Sequence, residues 1–137
     1  MSELPPIRVL IADDHAIVRN GVCGIVNSHP RLQVVAEAEN GREALAAIDR
    51  TRPDVCLVDL QMPEMDGVSL AKQVRQSFPA TRIIILTTYD SDEDIDRCLR
   101  AGAQAYLLKD IKPSELISAI QDVHEGRVVI PPSVASK

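Results

Sequence analysis

Five short apolar runs alternate with five amphipathic stretches along this chain, and that alternation narrows most what it can fold into. The runs are Ile7–Ala12, Leu32–Ala38, the run through Val55–Val58 that carries Asp59, Arg82–Leu86 and Gln104–Leu108. Short apolar runs bounded by Gly, Pro, Asn or Asp read as strands buried in a parallel sheet. Leu32–Ala38 partly alternates apolar with polar residues, which predicts a half-exposed edge strand. Between the runs, apolar side chains recur at helical spacing: Val18, Val22 and Ile25; Ala44, Leu45 and Ile48; Leu70, Ala71 and Val74; Ile95, Cys98 and Leu99; Leu116, Ile117, Ile120 and Val123. Strand–helix alternation predicts a single α/β domain with right-handed crossovers and helices on both faces of the sheet. With the second strand at an edge, the expected order is 2-1-3-4-5, with the switch point between strands one and three.

Punctuation supports this reading. Asp14, Asn40 with Glu43, Asp66, and Ser91 with Asp94 are expected helix caps, and Pro113 falls in a first helical turn. Gly102 and Gly126 close the fourth and fifth helices. Gly21 and Gly24 lie inside the first helix, where each costs up to about 1 kcal/mol against Ala unless close packing requires it.

Composition excludes several classes. The chain has 137 residues, suited to one domain, and its aromatic content of 2% leaves the core to Val, Ile, Leu and Ala. A net charge of -5 makes these residues a poor direct nucleic-acid binder. Three cysteines without CxxC spacing fit a reducing compartment and a filler role in the core. No apolar stretch reaches the length of a membrane span, and the first residues do not read as a signal peptide. A soluble, cytoplasmic protein is expected.

Chemistry concentrates at strand ends. Asp13 and Asp14 follow the first run and Asp59 the third, so three carboxylates converge at the switch point. Each alone is an ordinary cap or turn former. Together they repel one another, and a hard divalent cation with oxygen ligands, Mg²⁺, relieves that repulsion. Thr87 and Lys109 end strands four and five at the same edge. Singly they read as a turn hydroxyl and a solvated charge; beside a carboxylate and a metal they compose a phosphoryl site. His15 adjoins the acids, but Mg²⁺ prefers oxygen.

The residues Asp13-Asp14, Asp59 to Gly67, Thr87-Thr88 and Ala101 to Lys109 resemble those of bacterial two-component response-regulator receiver domains across roughly residues 7–125. Leu108-Lys109-Asp110 and the last two helices are similar to the NarL/FixJ (LuxR-type) branch, whose full-length members carry a C-terminal helix-turn-helix. The resemblance implies a flavodoxin-like (βα)5 fold. It implies that Asp59 accepts a phosphoryl group from a sensor histidine kinase. Asp14 would bind Mg²⁺ directly, Asp13 largely through water, and the Gln61 backbone carbonyl would add a ligand. Lys109 would contact the phosphoryl group, and Thr87 would move toward it with a rotamer change of Tyr106. Gln61 and Tyr89 would tune phosphoryl lifetime. Dimerisation on phosphorylation and DNA binding by the full-length protein follow from the same likeness. Residues 1–126 would form the receiver and 127–137 the start of a linker, its output domain lying beyond. Asp110 stands where many receivers have Pro, so a trans peptide after Lys109 is expected.

The rival readings are distinguishable. An aspartate-nucleophile phosphatase resembles Asp-x-Asp at the nucleophile strand, whereas position 61 is Gln. A pseudo-receiver would have lost site residues, and all five positions are filled. A flavodoxin-like cofactor binder would need a hydroxyl-rich phosphate loop after the first strand, which is missing.

Overall fold

The computed structural model describes residues 4–89 and 91–130. Five strands, β1 (Ile7–Ala12), β2 (Leu32–Ala38), β3 (Val55–Val58), β4 (Arg82–Thr87) and β5 (Ala105–Leu108), alternate with five helices. The helices are α1 (Ala16–Asn27), α2 (Gly41–Thr51), α3 (Gly67–Ser77), α4 (Asp92–Arg100) and α5 (Pro113–His124). The sheet is parallel in the order β2-β1-β3-β4-β5, as the edge character of Leu32–Ala38 predicts.

The two-residue period of the strands divides the core. Leu10, Cys56, Ile83, Ile85 and Tyr106 pack with α2, α3 and α4 on one face. Val9, Ile11, Leu57, Ile84 and Leu107 pack with α1 and α5 on the other. Cys56 and Cys98 are buried fillers and Cys23 is half-buried; burial and Glu37 push the Cys23 thiol up to about 11, so none of the three is a ready thiolate.

Several local expectations hold. Asn40 accepts from the Glu43 amide at 2.8 Å, Asp66 from Ser69 at 2.8 Å and Ser91 from Asp94 at 3.1 Å. Glu43 reaches back to the amide of Glu39 at 3.1 Å, one residue before the cap. Gly102 and Gly126 have φ of 111° and 99°. No peptide among the described residues is cis, that after Lys109 included.

Two expectations are corrected. Asp14 does not cap α1: the N-cap position is His15 and carries no side-chain cap bond. The preceding Asp13 intervenes, taking the His15 amide at 2.8 Å. Gly21 and Gly24 answer no packing need, since a Cβ on either would meet nothing within 4 Å. The glycines that matter are Gly41 and Gly67. A Cβ on Gly41 would lie 2.0 Å from the Met65 carbonyl oxygen, and one on Gly67 would lie 2.8 Å from that of Asp59. These two close approaches let α2 and α3 press on the loop after β3. After α5 the chain returns to the sheet. Val129 bridges Ala105 in parallel, donating to Gln104 at 2.9 Å, and Val129 and Ile130 pack against the two cores. Residues 131–137 of the expected linker lie outside the described residues.

Candidate functional site

The sheet register assembles the site. Ala12 pairs with Val58, and the Asp59 amide donates to the Ala12 carbonyl at 2.9 Å, so Asp13 and Asp59 leave adjacent strands side by side. Their side-chain phases match those of Ile11 and Leu57, placing both carboxylates toward the α1–α5 side of the sheet edge. Thr87 pairs with Leu108, and the Lys109 amide donates to the Thr87 carbonyl at 2.8 Å, which brings the end of β5 to the same edge.

Asp13 and Asp59 are buried, at 4% and 5% exposure, while Asp14 stands at the rim. Carboxylate and imidazole atoms of Asp13, Asp14, His15 and Asp59 lie within 4.8 Å of one another. The Lys109 Nζ is 2.8 Å from Asp13 Oδ2 and 3.3 Å from Asp59 Oδ2. Three carboxylates against one ammonium leave two negative charges in excess, the amount a divalent cation neutralises. All the donors except His15 are oxygen, the set a hard cation selects.

Electrostatics agree with the geometry. Burial holds the Asp59 carboxyl above the usual carboxylate range; Lys109 opposes this, while Asp13 and Asp14 add to it. Burial works against the Lys109 charge, but its bond to Asp13 and the charges of Asp59 and Asp13 outweigh that and hold the ammonium above its ordinary range. Lys109 is therefore charged at neutral pH and offsets part of the repulsion.

An open cleft of about 700 Å³ lies over this cluster, lined by Asp14, Asp59, Gln61, Thr88, Tyr89 and Lys109 among others. Gln61 and Tyr89, predicted to border the site, therefore flank its mouth. Thr87 and Tyr106 do not line it. Both are fully buried, in strand phases on the face shared with α4. The Thr87 hydroxyl accepts from the Tyr89 amide at 3.2 Å, and the Tyr106 hydroxyl donates to the Tyr89 carbonyl. They thus hold the β4–α4 loop from below. Asp90, within that loop, lies outside the described residues. His15 sits 3.2 Å from both Asp13 and Asp14 with a 67% exposed side chain. Sequence reasoning missed Thr88, Val18 and Met62 as cleft residues, since each has an ordinary place on a loop or helix face.

Comparison with known proteins gives a consistent likeness. Residues 9–121 match the family model described as response regulator receiver domain. The transcriptional regulatory protein YhcZ of Bacillus subtilis is 47% identical over 120 residues, covering 88% of this chain and 56% of that protein. The DNA-binding transcriptional activator DevR/DosR of Mycobacterium tuberculosis is 39% identical, covering 90% of this chain and 57% of that protein. The chain thus spans a little over half the length of these curated relatives. The signal receiver domain of the putative response regulator NarL from M. tuberculosis superposes with a TM-score of 0.88 at 35% identity, covering 90% of this chain and all of that one. A LuxR-family two-component response regulator from Aurantimonas superposes with a TM-score of 0.91 at 34% identity, covering 96% of this chain and 94% of that one.

Proposed function

The chain belongs to the response-regulator receiver family, and from that premise we propose that Asp59 is its phosphoacceptor, with Mg²⁺ held beside it by Asp13, Asp14 and the Gln61 carbonyl. One observation carries the assignment: Asp59 is a buried strand-end carboxylate that opens onto the cleft, flanked by two further acids and contacted by Lys109.

The transfer is a single displacement at phosphorus. An Asp59 carboxylate oxygen forms the new P–O bond. The P–N bond to the donor imidazole of a sensor histidine kinase breaks, and the electron pair leaves with the nitrogen. Mg²⁺, when bound, neutralises charge on the phosphoryl oxygens. Asp14 would hold it directly and Asp13 largely through water. Lys109, already between Asp13 and Asp59, turns its ammonium to a phosphoryl oxygen. The buried Thr87 hydroxyl moves toward the new group. Because Thr87 and Tyr106 both bond Tyr89, that movement re-sets the 88–92 loop and the Tyr106 rotamer. Gln61 and Tyr89 flank the path of hydrolytic water and set phosphoryl lifetime.

The chemistry is confined to the domain's own phosphoryl group. Residues 1–126 act as the receiver and 127–137 begin the connection to an output region. Phosphorylation promotes a homodimer, and the full-length protein binds DNA in the cytoplasm. No described helix is long and apolar enough to cross a membrane.

The test is incubation with acetyl phosphate and Mg²⁺. We expect one phosphoryl group per chain, lost with EDTA or in Asp59→Asn. No uptake by the wild type, or undiminished uptake by Asp59→Asn, contradicts the assignment.

A further inference from the structure

Asp14 is the acid of the cluster with the least support. Its carboxylate is 32% exposed and its ion pair among the described residues is with the exposed His15. Asp13, by contrast, is tied at several points. Its amide donates to Ala38 at 3.0 Å, and its carboxylate takes the His15 amide and Lys109. Its carbonyl receives a bond from the side chain of Arg19, Nη1 to O at 2.7 Å. That carbonyl belongs to the peptide joining Asp13 to Asp14, so fixing its plane fixes where the Asp14 Cα sits and narrows the directions open to its side chain.

Arg19 is itself held. It lies in the second half-turn of α1 with a side chain only 13% exposed, its Nε is 3.2 Å from Glu37 Oε1 at the end of β2, and its Nη2 is 3.9 Å from Glu39. The planar guanidinium therefore aims separate donors at a carbonyl and two carboxylates from a rigid fork. A lysine, a point charge on a flexible stem, cannot reproduce that arrangement. Glu37 and Glu39, with side chains 46% and 68% exposed, already face the guanidinium; the bond to the Asp13 carbonyl is a third contact, and it is the one that reaches the acidic loop.

We infer that Arg19 is a positioning residue for the Mg²⁺ site: through the Asp13 carbonyl it orients the Asp13–Asp14 peptide and so pre-sets Asp14 as a ligand, without touching metal or phosphoryl group. This rests on the reading of the acidic cluster as the Mg²⁺ site. Partners that orient ligands without contacting the metal change affinity by about 10–100-fold when removed.

The experiment is a calorimetric Mg²⁺ titration of the unphosphorylated protein, paired with the Mg²⁺ dependence of phosphorylation by acetyl phosphate. Arg19→Met is expected to weaken Mg²⁺ binding by about 10-fold and to raise the half-saturating Mg²⁺ for phosphorylation equally. The rate at saturating Mg²⁺ should stay within about twofold, because no group that meets the phosphoryl is lost. Arg19→Lys keeps one donor and should fall between. Glu39→Gln, which removes only the 3.9 Å contact, should bind Mg²⁺ as the wild type does. Wild-type affinity in a folded Arg19→Met overturns the inference; if that variant does not fold, wild-type affinity in Arg19→Lys overturns it. A gain in Mg²⁺ affinity in Arg19→Met also overturns it, since removal of a nearby positive charge by itself strengthens cation binding. Absence of Mg²⁺ binding by the wild type instead contradicts the metal reading itself.

Discussion

At the scale of single residues, the three carboxylates of the cluster outnumber its one ammonium. Burial and the neighbouring acids raise the Asp59 carboxyl above its unfolded value. A carboxyl so raised binds more protons in the folded state, so its contribution falls as pH rises through the window from its unfolded to its folded pKa. Asp59→Asn should therefore stabilise the metal-free domain at neutral pH, on the order of 1 kcal/mol, seen as a rise of several degrees in Tm. The advantage should shrink as pH is lowered through that window, and thermal melts across it check the sign. Lys109→Met should do the reverse. It leaves Asp13 and Asp59 buried without their cation and should cost about 2–3 kcal/mol in a denaturant titration. Asp59, Asp13 and Asp14 were legible from sequence because acids at strand ends stand out against apolar runs. The helix-capping role of Asp14 was misread because α1 begins one residue later, with His15 at the N-cap position. Arg19 was not legible as a site residue. Its partners are a carbonyl, which no sequence pattern marks, and an acid on another strand.

At the scale of elements, the strands and helices followed from periodicity, and the sheet order from one edge strand. What periodicity could not convey was how closely elements approach. Gly41 looks like any residue after a helix cap, yet its hydrogen faces the Met65 carbonyl. Gly41→Val should displace the loop that carries Gln61, costing about 1–3 kcal/mol and weakening Mg²⁺ binding together; unchanged stability and affinity would contradict the close approach. The segment after α5 was equally opaque, because a single bridge has no period. Val129→Pro removes the donor to Gln104 and should cost about 1–2 kcal/mol. Val128→Asp, at a position 64% exposed, should stay within about 0.5 kcal/mol of the wild type in the same melts.

At the scale of the whole molecule, a sheet of strands ending in Asp, Asp, Thr and Lys gathers the charge of the chain's switch at one edge. The same sheet hides the responding residues on the face toward α4. Thr87 and Tyr106 are buried there, and both hydroxyls bond the backbone of Tyr89, which lines the cleft. If Asp59 is the phosphoacceptor, as proposed, a signal received there would leave the site through the backbone of the loop after β4. Mg²⁺ should raise Tm, and the rise should keep growing with the logarithm of its concentration above the dissociation constant, as for any ligand of the folded state. The measurement that bears most directly on this account is the location of the phosphoryl group. The protein is phosphorylated with acetyl phosphate and Mg²⁺, the acyl phosphate is reduced with borohydride, and the digest is read by tandem mass spectrometry. The account predicts homoserine in place of aspartate at Asp59 alone. Reduction at Asp13 or Asp14, or at no aspartate, would contradict it.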